Sequence, residues 1–232
     1  MAAKSKLKMS SDERRAAIIR TVRCVFAQKG FHGTTTRELA RAAGVSEALL
    51  FRHFPNKEAL FAAIKDSCHD QQVMVRYEKL KALEPSASTL VLMVHFLMSK
   101  IVTGCMSSEG DQAIAHRLLL RSLAEDGEFA RFFVRRLAAE WIPKVEACIQ
   151  AAVAAGEAID GPVAPGLRGW FAQHLAETLA SYLLPATPVI KYGARPDQLI
   201  EQAVWFALRG MGLKEEAIRR HYNPRALALF EK

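Results

Sequence analysis

Thr35-Thr36-Arg37-Glu38-Leu39-Ala40-Arg41-Ala42-Ala43-Gly44-Val45-Ser46-Glu47-Ala48-Leu49-Leu50-Phe51-Arg52-His53-Phe54-Pro55-Asn56-Lys57 reads as two short helices joined by a sharp turn. The first helix can start at Thr35, whose hydroxyl caps it while Glu38 reaches back to complete a capping box. Leu39, Ala40 and Ala43 form its inner stripe, and Gly44 supplies the permissive backbone of a tight reversal. Ser46 caps the second helix, with Val45 before it and Leu50 after it placed as a hydrophobic staple. A small Ala40 where helices approach, Gly44 at the turn and Leu50 at the crossing are the positions of a DNA-binding helix-turn-helix.

With Leu50 pointing inward, a rotation of about 100° per residue puts Phe54 on the same face and Ala48 and Arg52 opposite. Leu49 and Phe51 sit on the flanks, and Glu47 lies at the exposed first turn. So apolar an outer face suits a surface that is dry when occupied. A major-groove floor is one: small apolar groups meet thymine methyls there, and Arg reads guanine. An ordinary helical hairpin within a bundle is the plainer alternative. Charge argues against it. Residues 1–60 carry 12 Lys/Arg and 5 Asp/Glu, a net +7, whereas residues 61–232 carry 20 and 19. Nearly all of the chain's +8 lies on the segment that bears the motif, as phosphate attraction and counterion release require. Lys4, Lys6 and Lys8 can form a solvated arm, yet +4 remains there without them.

The pattern has a familiar counterpart. Residues 14–61 resemble the N-terminal domain of the tetracycline-repressor (TetR) family of bacterial transcription regulators. The runs Gly30-Phe31-His32-Gly33-Thr34-Thr35-Thr36-Arg37-Glu38-Leu39-Ala40, Ala43-Gly44-Val45-Ser46, Leu50-Phe51-Arg52-His53-Phe54 and Asn56-Lys57-Glu58-Ala59-Leu60 carry the resemblance. It covers about a fifth of the chain. It implies that Thr35, His53 and Lys57 hold phosphates and that Arg37, with the face formed by Glu47, Ala48, Leu49, Phe51 and Arg52, reaches bases. Thr36 belongs to the same DNA-facing set. Phe51 departs from the family, which most often has Tyr there, so a phenol donor to phosphate is lost.

The chain's 232 residues suffice for one large domain or two small ones. We expect an all-α protein with a helix-turn-helix domain over 10–60 and a ligand-binding and dimerisation domain over 61–232. No run of eighteen apolar residues appears, which predicts no membrane span. Charged Ser10-Ser11-Asp12-Glu13-Arg14-Arg15 stands where a signal peptide would have its apolar core, so the expected location is cytoplasmic. Cys24, Cys68, Cys105 and Cys148 are far apart and read as reduced thiols, with a redox sensor the weaker alternative.

Helical patterns run nearly throughout. Ser10 and Glu13 suit a capping box for a helix whose stripe is Ile18, Val22, Val25 and Phe26; Gly30 ends it, and Phe31 folds back on Phe26. Asn56 caps a long helix to about Leu83, broken by Pro85. Further helices are expected at 86–105, 111–125 and 128–155, the last kinked by Pro143. Gly156–Gly166 is a loop. Helices over 167–184 and 196–213 then precede a short final one. No strand pattern, repeat or low-complexity segment appears.

The two closing helices are apolar over wide arcs, with Leu167, Phe171, Leu199, Ala203 and Phe206 prominent and Gly210 near the end of the second. A helix of that kind packs on two sides. By resemblance, this pair meets its counterpart in a second subunit; a fully buried core helix would show the same arc. A two-fold dimer also suits a palindromic operator. The resemblance further implies a ligand cavity among the central helices. Its candidate lining is His95, Met98, Ser99, His116, Arg121, Trp141, His174 and Tyr182, polar or polarisable groups set among apolar neighbours. Taken alone, each is more simply read as a satisfied core polar group or a surface position.

No repeated Glu-x-x-His pair, P-loop, H-E-x-x-H or G-x-S-x-G occurs, so an enzyme is not expected, nor a metal or cofactor. The expectation is a homodimeric transcription regulator, a repressor released from a double-stranded DNA operator by an unidentified small-molecule effector, largely apolar. The effector would shift the helix from Asn56 and change the separation of the two recognition helices. A DNA-organising or division-control protein on the same fold, with DNA as its own effector, is the alternative.

Overall fold

The computed structural model describes residues 9–67, 71–106, 110–224 and 227. Lys4, Lys6, Lys8 and Cys68 fall outside them. The fold is all-α: α1 Ser11–Lys29, α2 Thr36–Ala42, α3 Glu47–His53, α4 Lys57–Ser67, α5 Gln71–Ala82, α6 Ala87–Met106, α7 Asp111–Ala124, α8 Glu128–Arg136, α9 Ile142–Ala154, α10 Pro165–Leu183, α11 Pro196–Gly210 and α12 Glu215–His221. Among the described residues no strand forms; a lone antiparallel bridge joins Ala158 and Leu213. The helix expected from Asn56 to Leu83 is described as α4 and α5, with 68–70 between them outside the described residues. The kink expected at Pro143 is a π-helical turn, Leu137–Trp141, between α8 and α9. Proline has no N–H to give and crowds the preceding turn, and the wider turn absorbs both effects.

The chain forms two compact units, Met1–His69 with Arg117–Ala130 and Asp70–His116 with Arg131–Lys232. The sequence reading made a single division after residue 60; residues 117–130 in fact cluster with the first unit.

In the first unit, α1 packs on α2 and α4. Ser10 and Glu13 close the expected capping box on α1. At its other end Gly30 has φ 75°, and its N–H bonds the Phe26 carbonyl at 2.8 Å. Phe26, Phe31, Phe61 and Phe129 cluster there, with ring centroids 5.1 Å apart for Phe31–Phe61 and 5.2 Å for Phe26–Phe61. A Cβ at Gly33 would stand 2.2 Å from the Lys29 carbonyl oxygen, so only glycine fits the bend leading to α2.

α6 is the centre of the second unit, packed by α5, α9, α10, α11 and α12. By length and composition it could cross a membrane, and 61% of that stretch is buried within the structure, the situation of a core helix. α10 turns a small and polar face inward: Arg168, Gly169, Ala172, Gln173, Ala176, Leu179 and Ala180 are buried. Its bulky residues Leu167, Phe171 and Tyr182 face out. Small residues let helices approach closely; a Cβ at Gly169 would already stand 3.2 Å from Ile142 and Val145 side-chain atoms. Buried Arg168 ties the neighbouring loops together, donating to the carbonyls of Val163, Gly161 and Met211 at 2.7, 3.1 and 3.1 Å.

Candidate nucleic-acid interface

The motif is built as its residues dictate. Thr35 Oγ1 accepts from the Glu38 N–H at 3.3 Å and donates to Glu38 Oε2 at 3.0 Å, while the Thr35 N–H donates to the same carboxylate at 2.9 Å. Lys29 Nζ reaches Glu38 Oε1 at 2.5 Å from the end of α1. The Lys29 ammonium and the Thr35 N–H together hold the Glu38 carboxyl down to about 2. Gly44 turns with φ 66°, and the Val45 N–H bonds the Ala40 carbonyl at 3.0 Å. Ser46 Oγ accepts from the Leu49 N–H at 3.1 Å and caps α3. Leu39, Ala40, Leu50 and Phe54 are buried beneath.

Glu47, Ala48, Phe51 and Arg52 are exposed on α3, with Leu49 half-buried beside them and Arg37 exposed on α2. Phe51 is 40% exposed, a large ring on a surface otherwise small and charged. Thr36 Oγ1 donates to Glu47 Oε2 at 3.2 Å and so joins the first turns of the two helices. Asn56 Oδ1 accepts from the Ala59 N–H at 2.7 Å and caps α4, whose first residue is Lys57. Lys57 Nζ lies 4.4 Å above the Phe31 ring. A cation at the positive end of a helix favours an anion beside it, as a phosphate would be. His53 is half-buried; its Nε2 is buried and, among the described residues, has no partner. Thr35 caps the start of α2, and its hydroxyl is engaged by Glu38. Arg15 stacks its guanidinium 4.8 Å over Phe54. The sequence reading gave no role to Arg15 or to buried Thr34, whose hydroxyl donates to the Gly30 carbonyl at 2.7 Å.

The eight residues expected around a ligand do not share one environment. Met98, Ser99, His116 and Trp141 are buried in the second unit, Trp141 stacked on Tyr77 at 5.6 Å. His95 meets the Tyr222 ring at 5.8 Å. Arg121 belongs to the first unit: its Nη2 donates to the Lys29 carbonyl at 3.0 Å, closing the end of α1, and its Nε pairs with Glu125 at 2.9 Å. His174 and Tyr182 are exposed on the outward face of α10, His174 stacked on Trp170 at 6.1 Å. Of the expected interface residues, Leu167, Phe171, Phe206 and Gly210 are exposed, Phe206 at 71%; Leu199 is half-buried and Ala203 buried. Polar residues that hydropathy did not single out include buried Arg168 and Gln173 and the half-buried partners of His116, Glu177 and Ser181.

Residues 18–64 match the bacterial regulatory proteins of the tetR family. The HTH-type transcriptional regulator RutR of Escherichia coli K12 is 43% identical over 51 residues, 22% of this chain and 24% of RutR. The match thus spans about a quarter of that relative's length. The nucleoid occlusion factor SlmA of Haemophilus influenzae PittGG is 24% identical over 131 residues, 55% of this chain and 58% of SlmA. Among solved structures, AibR in complex with isovaleryl coenzyme A and operator DNA aligns with a TM-score of 0.62 at 19% identity, covering 83% of this chain and 97% of AibR. The fold is therefore shared well beyond the motif.

Proposed function

We propose, from the premise that this chain is a DNA-binding regulator of the TetR family, that it binds a palindromic operator as a homodimer, represses transcription there and is released by a small, largely apolar molecule. The observation that carries the reading is the exposed face of Ala48, Phe51 and Arg52 on α3, framed by Arg37 and Lys57 in the first quarter of the chain, which holds nearly all of the net positive charge. Ala48, Leu49 and Phe51 supply the apolar contacts and Arg52 the base-reading fork; Lys57 and His53 hold the backbone. The outward face of α10 and α11 supports the dimer, because Leu167, Phe171 and Phe206 need an apolar partner. AibR, whose crystal structure holds isovaleryl coenzyme A and operator DNA, supports a small-molecule effector. Acting on the chromosome, the protein would work in the cytoplasm. The test is a gel shift of full-length protein on its own promoter against unrelated duplex, with sedimentation of the free protein. A salt-sensitive, promoter-selective shift by a dimer of the 25.7 kDa chain is expected. Indifference to every duplex removes the reading.

A second reading is favoured by the likeness to SlmA: a DNA-organising or division-control protein in which DNA itself is the effector. Genome-wide binding at many dispersed sites, with no small molecule that weakens it, would select this reading.

A further inference from the structure

α10 carries Gln173, Glu177 and Ser181 at intervals of four residues, along one side of the helix. His116 of α7 meets the latter two. Gln173 is 3% exposed, and its amide nitrogen donates to Glu177 Oε1 at 2.8 Å. Only nitrogen can donate to a carboxylate, which fixes the amide's orientation and leaves Oε1 as the acceptor. That oxygen is buried and, among the described residues, receives no hydrogen bond. Glu177 Oε2 is buried too. His116 Nδ1 approaches it to 2.7 Å as an ion-pair contact, but off the direction of a hydrogen bond. Ser181 commits its own proton to the Glu177 carbonyl at 2.7 Å, so His116 Nε2 is the donor in the 3.0 Å bond to Ser181 Oγ.

The cluster is thus oversupplied with acceptors. Two buried oxygens on successive turns of one helix lack an aligned donor, a situation folded proteins resolve with an ordered water or a bound ligand. We propose that Gln173 Oε1 and Glu177 Oε2 form the polar anchor of the effector site, and that the effector presents an N–H donor, an amide or a protonated amine, at the end of its apolar body. The Gln173 amide N–H and the His116 ion-pair contact hold the Glu177 carboxylate in place, and Ser181 holds His116. The assignment rests on the effector reading above and replaces His174, Tyr182 and Arg121 as anchors. A carboxylate head is disfavoured, since it would set negative charge against both oxygens.

The probes are hexanamide, hexylamine and hexanoate, which share one six-carbon chain and differ in the head. Thermal shift and calorimetry on the full-length protein should show saturable stabilisation by a donor-headed probe and none by hexanoate. Amide against amine separates a neutral donor from a cation. Gln173→Leu removes the acceptor at similar volume and should bind roughly tenfold more weakly, about the worth of one hydrogen bond. Its fold is checked by circular dichroism. Gln173→Glu provides an independent reading: it keeps an acceptor, adds charge, and should shift preference toward hexylamine. Equal binding of all three heads, no binding at all, or a crystal structure with a water alone on Gln173 Oε1 would overturn the anchor. Operator binding is measured on the same preparation. If it survives while the probes fail, only the anchor is lost; if it fails, the regulator reading goes first.

Discussion

Thr36 Oγ1 donates to Glu47 Oε2 across 3.2 Å, one hydrogen bond between the first turns of the two motif helices. The bond fixes the rotation of α3 against α2, and with it the direction in which Ala48 and Arg52 point. Thr36→Val keeps the shape and the Glu47 charge while removing the donor. It should cost about 0.5–1.5 kcal/mol, read as a lower urea midpoint for the first unit. An unchanged midpoint would mean the bond contributes nothing in water.

Arg52 and Lys57 should fail differently when truncated. Arg52→Ala is expected to cost about 1–3 kcal/mol at the operator and to relax preference at one base position. Lys57→Ala should weaken all duplexes alike and lower the salt slope by about one. A competition gel shift across a randomised half-site separates the two. The proposed roles fail if Lys57→Ala is the variant that changes base preference.

Glu38 carries a pH dependence whose sign is set. Its folded carboxyl titrates at about 2, below the ordinary 4.5, because Lys29 and the Thr35 N–H bond the charged form. A depressed carboxyl contributes stability above its ordinary value and loses it as pH falls from about 4.5 toward 2. Lys29→Ala should raise the Glu38 midpoint toward 4.5, followed by carboxyl-carbon NMR. A Glu38 midpoint that stays near 2 in the variant would assign the shift to the Thr35 N–H and hydroxyl.

Arg168 is buried and donates to the carbonyls of Val163, Gly161 and Met211. Arg168→Leu should strand acceptors worth about 1–3 kcal/mol each and lower the unfolding temperature sharply. Arg168→Lys should recover little, since a single ammonium cannot reproduce the fork. Full rescue by lysine would show that charge alone suffices.

Phe206 is the most exposed large apolar side chain among the described residues, at 71%. If α10 and α11 pair with a second copy, Phe206→Glu should give monomer or aggregate by sedimentation and lose tight operator binding. A wild type that sediments as a monomer at micromolar concentration would leave that face without its proposed role.

The motif was legible because its signals are local. A cap, a turn glycine and an inward leucine act within about eight residues, and all three fell where the sequence put them. The helices of the second unit were legible as helices but not in their rotation. A wide apolar arc does not say which of Leu167, Phe171 and Tyr182 face their own unit; the structure turns all three out and buries Arg168 and Gln173. What decides the rotation of α10 is how closely Gly169, Ala172 and Ala176 let it approach its neighbours, a steric fact that no hydropathy pattern encodes. That Arg121 joins the first unit was hidden for a related reason: which unit a helical segment joins depends on contacts far along the chain, such as that with Lys29.

The wide turn at Leu137–Trp141 places one residue more than a regular helix needs just ahead of Pro143. That surplus makes the segment tolerant of length. Deleting Ala138 or Ala139 would restore ordinary helical geometry locally. The five residues of the wide turn sweep nearly the same angle as four of a regular helix, so the flanking residues would keep their phase. Loss of one alanine should therefore be tolerated about as well as a substitution there, whereas loss of a second residue would swing Leu137 by about 100° out of phase with buried Trp141. Lineages should differ here by one residue more readily than by two.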